Sequence, residues 1–285
     1  MEKYIRTEYE TEYRNWSLGN KLGSNLMMIG NASRFYLSTI PKLSFYKSRE
    51  CVVFDKNSYN LPSQQPIKNN KGLFVILHGL MGSPKICGIN YLQYIKKEYP
   101  EYEIYVPYVP NKGNCKFEDA AEPILNLVLD YTNQNPGNSI NLIGISNGAR
   151  IAAYIDIKLR HLNVNVRLTG IAGVFFGSST MSTLSNLHLA QLIIHPEVVS
   201  ELQAGSEWCK NLISELQFPC GCGSRSYEFY ATVNDYYIPN FSSCFPSIPN
   251  AKYNLKSGQD HLSLAQSIME EVVKKGIEWS NENNF

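Results

Sequence analysis

Five short apolar runs, each too long to alternate and too short to span a membrane, constrain this chain more than any other feature. They are LFVILHG (73–79), EIYVPYV (103–109), INLIGI (140–145), LTGIAGVFFG (168–177) and YEFYATV (227–233). A sixth run, AKYNLKS (251–257), alternates and suits a strand nearer a sheet edge. A strand apolar on both sides must be covered on both sides, as in parallel sheets flanked by helices. Helical spacing lies between the runs. Ile86, Ile89, Leu92 and Ile95 form one stripe, and Ile124, Val128 and Tyr131 a second. Ile151, Ile155 and Leu159 form a third, and Leu264, Ile268, Val272 and Ile277 a fourth. The expected class is therefore α/β, with a mostly parallel sheet and helices on both faces. In such sheets, ligands gather at the carboxyl ends of the strands.

The chain has 285 residues, enough for one sizeable α/β domain. That domain is expected over 51–285. Residues 1–50 show no clear alternation and read as an N-terminal extension of unassigned role. NLPSQQPIKNNKG (60–72) reads as a loop. The formal net charge is +1 with no basic block, which argues against a nucleic-acid partner. No window approaches 18 consecutive apolar residues, so no transmembrane helix is expected. The polar start MEKYIRTEYETEYRNW lacks the apolar core of a secretory signal. The expected location is cytoplasmic, or outside the cell by a route without a conventional signal peptide. Residues 20–47 are basic and apolar but broken by glycines and Pro41, a weak candidate for contact with a membrane surface. Seven scattered cysteines do not form a disulfide framework, and Cys220-Gly221-Cys222 has no second pair at zinc spacing. No metal site is expected.

The chemistry centres on Gly144-Ile145-Ser146-Asn147-Gly148, which fits G-x-S-x-G at a strand-to-helix junction. A sharp turn there puts the serine in a strained backbone conformation, and its neighbours must lack Cβ atoms. A serine hydroxyl needs a base to take its proton. Of five histidines, His161 ends the following helix, and His188 and His195 lie between the fourth and fifth runs. His78 precedes a glycine loop and is read as a brace. His261, in SGQDHLSL after the last strand, is the expected base. A carboxylate must fix its tautomer. Asp235 follows the strand 227–233 and is the expected acid, with Asp260 the alternative and Glu228 at the wrong end of its strand. The developing oxyanion needs two N–H donors. Asn147 supplies one, and the loop HGLMGSP (78–84) the other, through Leu80 first and Met81 second. Gly79 and Gly82 let that loop approach closely.

FVILHGLMGSP, GISNGAR, ATVNDYYIP and GQDHLSL together resemble the α/β-hydrolase superfamily, in its lipase and esterase branch of triacylglycerol-lipase-like or PGAP-type members. The resemblance covers about residues 50–280. It departs at Asn147 and at FFGSS, where that lipase group carries a Pro-His pair. It implies an α/β-hydrolase fold and a serine ester hydrolase acting through Ser146, Asp235 and His261, on a small-molecule or lipid ester, without a cofactor. Thioester hydrolysis, or a binding protein of the same fold with little turnover, is the alternative. An insertion over about 181–220, including LSNLHLAQLII, is expected to form a small helical cap.

Overall fold

The computed structural model describes residues 70–187, 190–192, 194–218 and 222–284. The expectations placed on residues 1–50, on His188 and on Cys220 lie outside those residues. Among the described residues six strands form one sheet: β1 (Gly72–Leu77), β2 (Glu103–Tyr105), β3 (Ser139–Ile145), β4 (Val166–Ile171), β5 (Arg225–Thr232) and β6 (Lys252–Lys256). Their order is β2-β1-β3-β4-β5-β6, and every pairing is parallel. The sheet is thus parallel throughout. Val75 lies opposite Tyr105 on one side and Leu142 on the other.

Alternation within β1 explains why no polar face is visible in its sequence. Leu73, Val75 and Leu77 enter one core, with Ile124 and Val128 of α3 (Phe117–Gln134) and Ile151 and Ile155 of α4 (Asn147–Leu159). Phe74 and Ile76 enter a second core on the opposite side. That core includes Leu92 and Ile95 of α2 (Ile89–Glu98) and Val272, Val273 and Ile277 of α9 (Met269–Asn283). Both sets are excluded from water, so a strand with two cores needs apolar residues at every position. The last strand differs: β6 is at the edge, and all its residues are partly or fully exposed.

Three boundaries differ from the sequence pattern, each for a local reason. β2 stops at Tyr105, two residues before Pro107, which has no N–H to donate to a ladder. β4 ends at Ile171 because Ala172 takes φ 48°. The apolar run continues beyond it because the loop itself is core. Phe175 is fully buried and meets Phe229 edge-on at 5.2 Å. The first helical stripe begins at Ile89. Ile86 sits on the short α1 (Pro84–Cys87) and is 65% exposed.

The segment expected as a cap is divided. α5 (Ser179–Asn186) and α6 (Pro196–Leu202) follow β4. α7 (Glu207–Gln217) turns its apolar stripe inward, and Leu212, Ile213 and Leu216 join the core shared with α4. Of the expected insertion, α7 is therefore packing for the sheet. No described helix is long and apolar enough to cross a membrane. Because Leu216 is 1% exposed, Leu216→Ala should cost about 2–5 kcal/mol, as deletions of buried leucine side chains do. Urea unfolding followed by circular dichroism checks this. A loss near zero would mean that α7 is a detachable cover.

Candidate active site

Ser146 joins β3 to α4 with φ 56° and ψ −124°. Its backbone N–H donates to Ile171 O at 2.8 Å, which ties the turn to the end of β4. The tightness explains the flanking glycines. A Cβ on Gly144 would stand 2.3 Å from Ala149 Cα, and one on Gly148 would stand 2.3 Å from Leu77 O. Both obstacles are backbone, which cannot swing aside. A Cβ on Gly79 would come within 2.7 Å of Ser146 Cβ, so the loop after β1 lies directly against the serine. Ser146 is the one residue between 139 and 153 that is not buried. It also sits at the N-terminal end of α4, whose dipole favours negative charge there.

Two later loops bring a carboxylate and an imidazole together. Asp235 follows β5, and His261 follows β6. His261 Nδ1 and Asp235 Oδ2 are 2.6 Å apart, with Asp235 1% and His261 7% exposed. An ionised carboxylate only accepts, so Nδ1 carries the proton and Nε2 is left with a free lone pair. The other oxygen, Asp235 Oδ1, accepts from Ile238 N at 2.8 Å. Two bonds tie the histidine loop back to β5: Thr232 Oγ1 to Gln259 O at 2.7 Å and Gly258 N to Asn234 Oδ1 at 3.2 Å. Burial opposes charge on His261, but Asp235 outweighs it and raises the imidazole above its usual pKa. Asp260 does something else. Its Oδ1 accepts from Leu262 N and from Ser263 N and Oγ, ordering the turn before α8 (Leu264–Ser267). All three residues stand at the carboxyl edge, and among the described residues no hydrogen bond joins Ser146 Oγ to the imidazole.

The loop after β1 is held from behind. His78 is buried, its Nδ1 donates to Gly79 O at 2.9 Å, and its Nε2 accepts from Val109 N at 3.0 Å. Burial, the largest effect, lowers its pKa to about 4. The turn Asn111-Lys112-Gly113 runs through three consecutive positive φ values of 47°, 57° and 74°. It thereby presents Lys112 O to Met81 N at 2.8 Å. Met81 N–H is thus occupied, whereas neither Leu80 N nor Asn147 N donates to another protein group among the described residues. The position of Gly113 joins the two, since a Cβ there would lie 3.4 Å from Asn147 Nδ2 and 3.8 Å from Leu80 Cα.

The remaining histidines stand apart. His161 is exposed just beyond α4, and His195 caps α6, accepting from Glu197 N. Above the acid loop, Ser178 Oγ donates to Tyr237 O, and Thr180 Oγ1 donates to Tyr236 O at 3.1 Å, which fastens α5 to the segment carrying Asp235. The Tyr237 ring lies 4.9 Å from the His261 ring. Sequence reasoning passed over Tyr237, the Asn111–Gly113 turn and Arg150. Only Arg150 left a signal, as a cation set among the alanines at the start of α4.

No protein-family model matches the chain, and no curated protein is detectably similar to it in sequence. Solved structures do resemble it in fold. Bacillus licheniformis lipase BlEst2 in its mature form aligns with TM-score 0.55 and 16% identity, covering 77% of this chain and 96% of that one. Est1E from Butyrivibrio proteoclasticus gives 0.54 and 15%, over 78% and 93%. The peroxisomal α/β-hydrolase Lpx1 of Saccharomyces cerevisiae gives 0.52 and 13%, over 76% and 80%. The fold, with its parallel sheet and flanking helices, is the α/β-hydrolase fold that these structures share.

The His78 brace has a pH signature. In the unfolded chain His78 titrates near the ordinary value of 6.5, and in the fold at about 4. The unfolded state therefore binds the extra proton first as pH falls. Stability from the neutral ring is fully present above 6.5 and is lost between 6.5 and 4, amounting to about 3 kcal/mol at the lower end. Urea midpoints at pH 7 and pH 4.5 should separate more for the wild type than for His78→Asn. Equal separations would show that the ring is not held neutral.

Proposed function

We propose that this chain is a serine ester hydrolase that passes an acyl group through Ser146, with His261 as base and Asp235 as its orienting acid. The observation that carries the reading is the 2.6 Å Asp235–His261 pair, at the same sheet edge as a serine held at positive φ. These are the parts that acyl transfer needs, in the chain order usual for this fold.

In the first half-reaction Ser146 Oγ bonds to the ester carbonyl carbon while its proton moves to His261 Nε2. The carbonyl oxygen becomes an oxyanion, and Leu80 N–H and Asn147 N–H are the donors proposed to receive it. Collapse of the tetrahedral species breaks the carbon–oxygen bond, and His261 gives its proton to the leaving alcohol. Water then attacks the acyl-enzyme, His261 takes its proton, and the carboxylic acid departs as Oγ regains a hydrogen. Asp235 stays ionised throughout, holding the ring and stabilising its transient charge. Ser146 and His261 must close to hydrogen-bonding distance when substrate binds, as catalytic pairs often do. Exposed Met81, on the oxyanion loop, and Leu262, beside His261, favour esters with apolar acyl groups. Thioesters would meet the same chemistry.

Two experiments test the reading. A fluorophosphonate probe should label the wild type and leave Ser146→Ala unlabelled, and Asp235→Asn should lower p-nitrophenyl ester turnover on the order of 10⁴-fold. Labelling that persists without Ser146, or an equal loss from Asp260→Asn, would reassign the groups. The second is the pH profile. The base works neutral, and its pKa is raised. The kcat/KM should therefore climb with pH through an inflection above 6.5 and fall away below it. A flat profile across that range would remove His261 from the mechanism.

A further inference from the structure

Arg150 lies in the first turn of α4, four residues after Ser146, and is completely buried. Its Nη1 donates to Asn147 Oδ1 at 2.9 Å. Its Nη2 reaches Glu201 Oε2 on α6 at 3.4 Å. The guanidinium centre stands 4.0 Å from the Trp208 ring centroid on α7 and 5.4 Å from that of Phe117 on α3. Its Nε has no hydrogen-bond partner among the described residues. This is a poor arrangement for stability alone. A fully desolvated cation with one long carboxylate contact and an orphaned N–H does not recover its desolvation cost, and an apolar side chain of similar volume commonly does as well or better. Arginine cannot shed the charge to escape, so the site stays positive.

What Arg150 grips is more informative than what it weighs. The Asn147 side chain it holds belongs to the residue whose backbone N–H is the proposed oxyanion donor. The other end of the grip is on the insertion. α6 is separately moored to the loop behind the oxyanion site, through His195 N to Asn114 Oδ1 at 2.7 Å and Lys116 Nζ to Glu197 Oε1 at 3.5 Å. We propose that Arg150 is a positioning residue for acyl transfer. By clamping the Asn147 side chain to α6 and α7, it fixes the Asn147 N–H where the oxyanion forms and leaves a buried positive charge one helical turn below it. The inference rests on Ser146 being the nucleophile. Its contribution would appear in the transition state, where charge develops, and not in ground-state binding.

The test is steady-state hydrolysis of a p-nitrophenyl ester by Arg150→Met, Arg150→Lys and Asn147→Ala, beside wild type and Ser146→Ala. Arg150→Met should lower kcat by roughly 10- to 100-fold, the scale of a mispositioned donor, with KM little changed and thermal unfolding kept. Arg150→Lys should recover part of the loss, since an ammonium keeps the charge. Asn147→Ala keeps the backbone N–H but removes the carbonyl that Arg150 holds, so it should reproduce the fall in kcat. That variant decides the matter if Arg150→Met does not fold. A folded Arg150→Met or Asn147→Ala with wild-type kcat, or with a loss confined to KM, overturns the inference. Turnover that ignores Ser146→Ala overturns the hydrolase reading and this inference with it. Turnover that needs Ser146 but ignores Arg150 and Asn147 overturns this inference alone.

Discussion

The contact between Gly148 and the carbonyl of Leu77 is where sheet and site become one problem. The start of α4 lies so close to the end of β1 that a single methyl at Gly148 would sit 2.3 Å from that oxygen, far inside van der Waals contact. Such closeness is available only if the chain leaves β3 through a sharp turn, and Ser146 absorbs the cost with its positive φ. Everything nearby then follows from geometry. Ala149, Ala152 and Ala153 must be small, and all are fully buried. The N–H of Asn147, first in α4, is left with no carbonyl to receive it among the described residues, while Ala149 N already bonds Ser146 O. The loop after β1, through Gly79, is pressed against the serine. A strained residue, a free donor and an adjacent glycine loop are thus one packing decision seen from three sides.

The two histidines at this edge show how partners, and not burial, set the chemistry. Both are almost fully buried, and burial pushes both imidazoles toward neutrality. For His78 burial outweighs the one carbonyl that favours a charge, that of Gly79, and its pKa falls to about 4. His261 faces a carboxylate, and its pKa rises instead. One ring is therefore a fixed brace at any ordinary pH. The other can hold a proton when one is transferred to it. The same side chain is held neutral or drawn toward its charged form according to the groups it faces.

Much of this was legible in the sequence because it depends on local pattern. Continuous apolar runs identified the strands, since strands between two cores cannot alternate, and the alternating run AKYNLKS did become the edge strand β6. The glycines around Ser146 announced a turn too tight for side chains. What local pattern could not supply was contact across the chain. Asp235 and Asp260 are equivalent by composition, and only the fold decides that one meets the ring while the other orders a turn. Ile86 fits a helical stripe by spacing, yet Gly88 separates it from the helix that is buried. Met81 and Leu80 are neighbours, and a left-handed turn about thirty residues away distinguishes them by occupying one N–H.

The insertion was the hardest segment to read, for a related reason. An amphipathic helix covers whatever apolar surface it meets, so the stripe on α7 is equally suited to a sheet or to a substrate cleft. Its destination is fixed by two arginines, one buried and one half-buried, that the stripe does not reveal. Arg160, at the far end of α4, donates to the carbonyls of Glu215, Leu216 and Phe218, capping α7 from below. Arg150, at the near end, stacks on Trp208 in the first turn of α7. One helix is pinned along its length by cations from the helix that begins after Ser146. α5, by contrast, is fastened to the acid loop through Ser178 and Thr180. The segment between β4 and β5 is therefore tied at two places, α7 to the helix that follows Ser146 and α5 to the loop that carries Asp235. A shift of either would be felt at its own end of the candidate site.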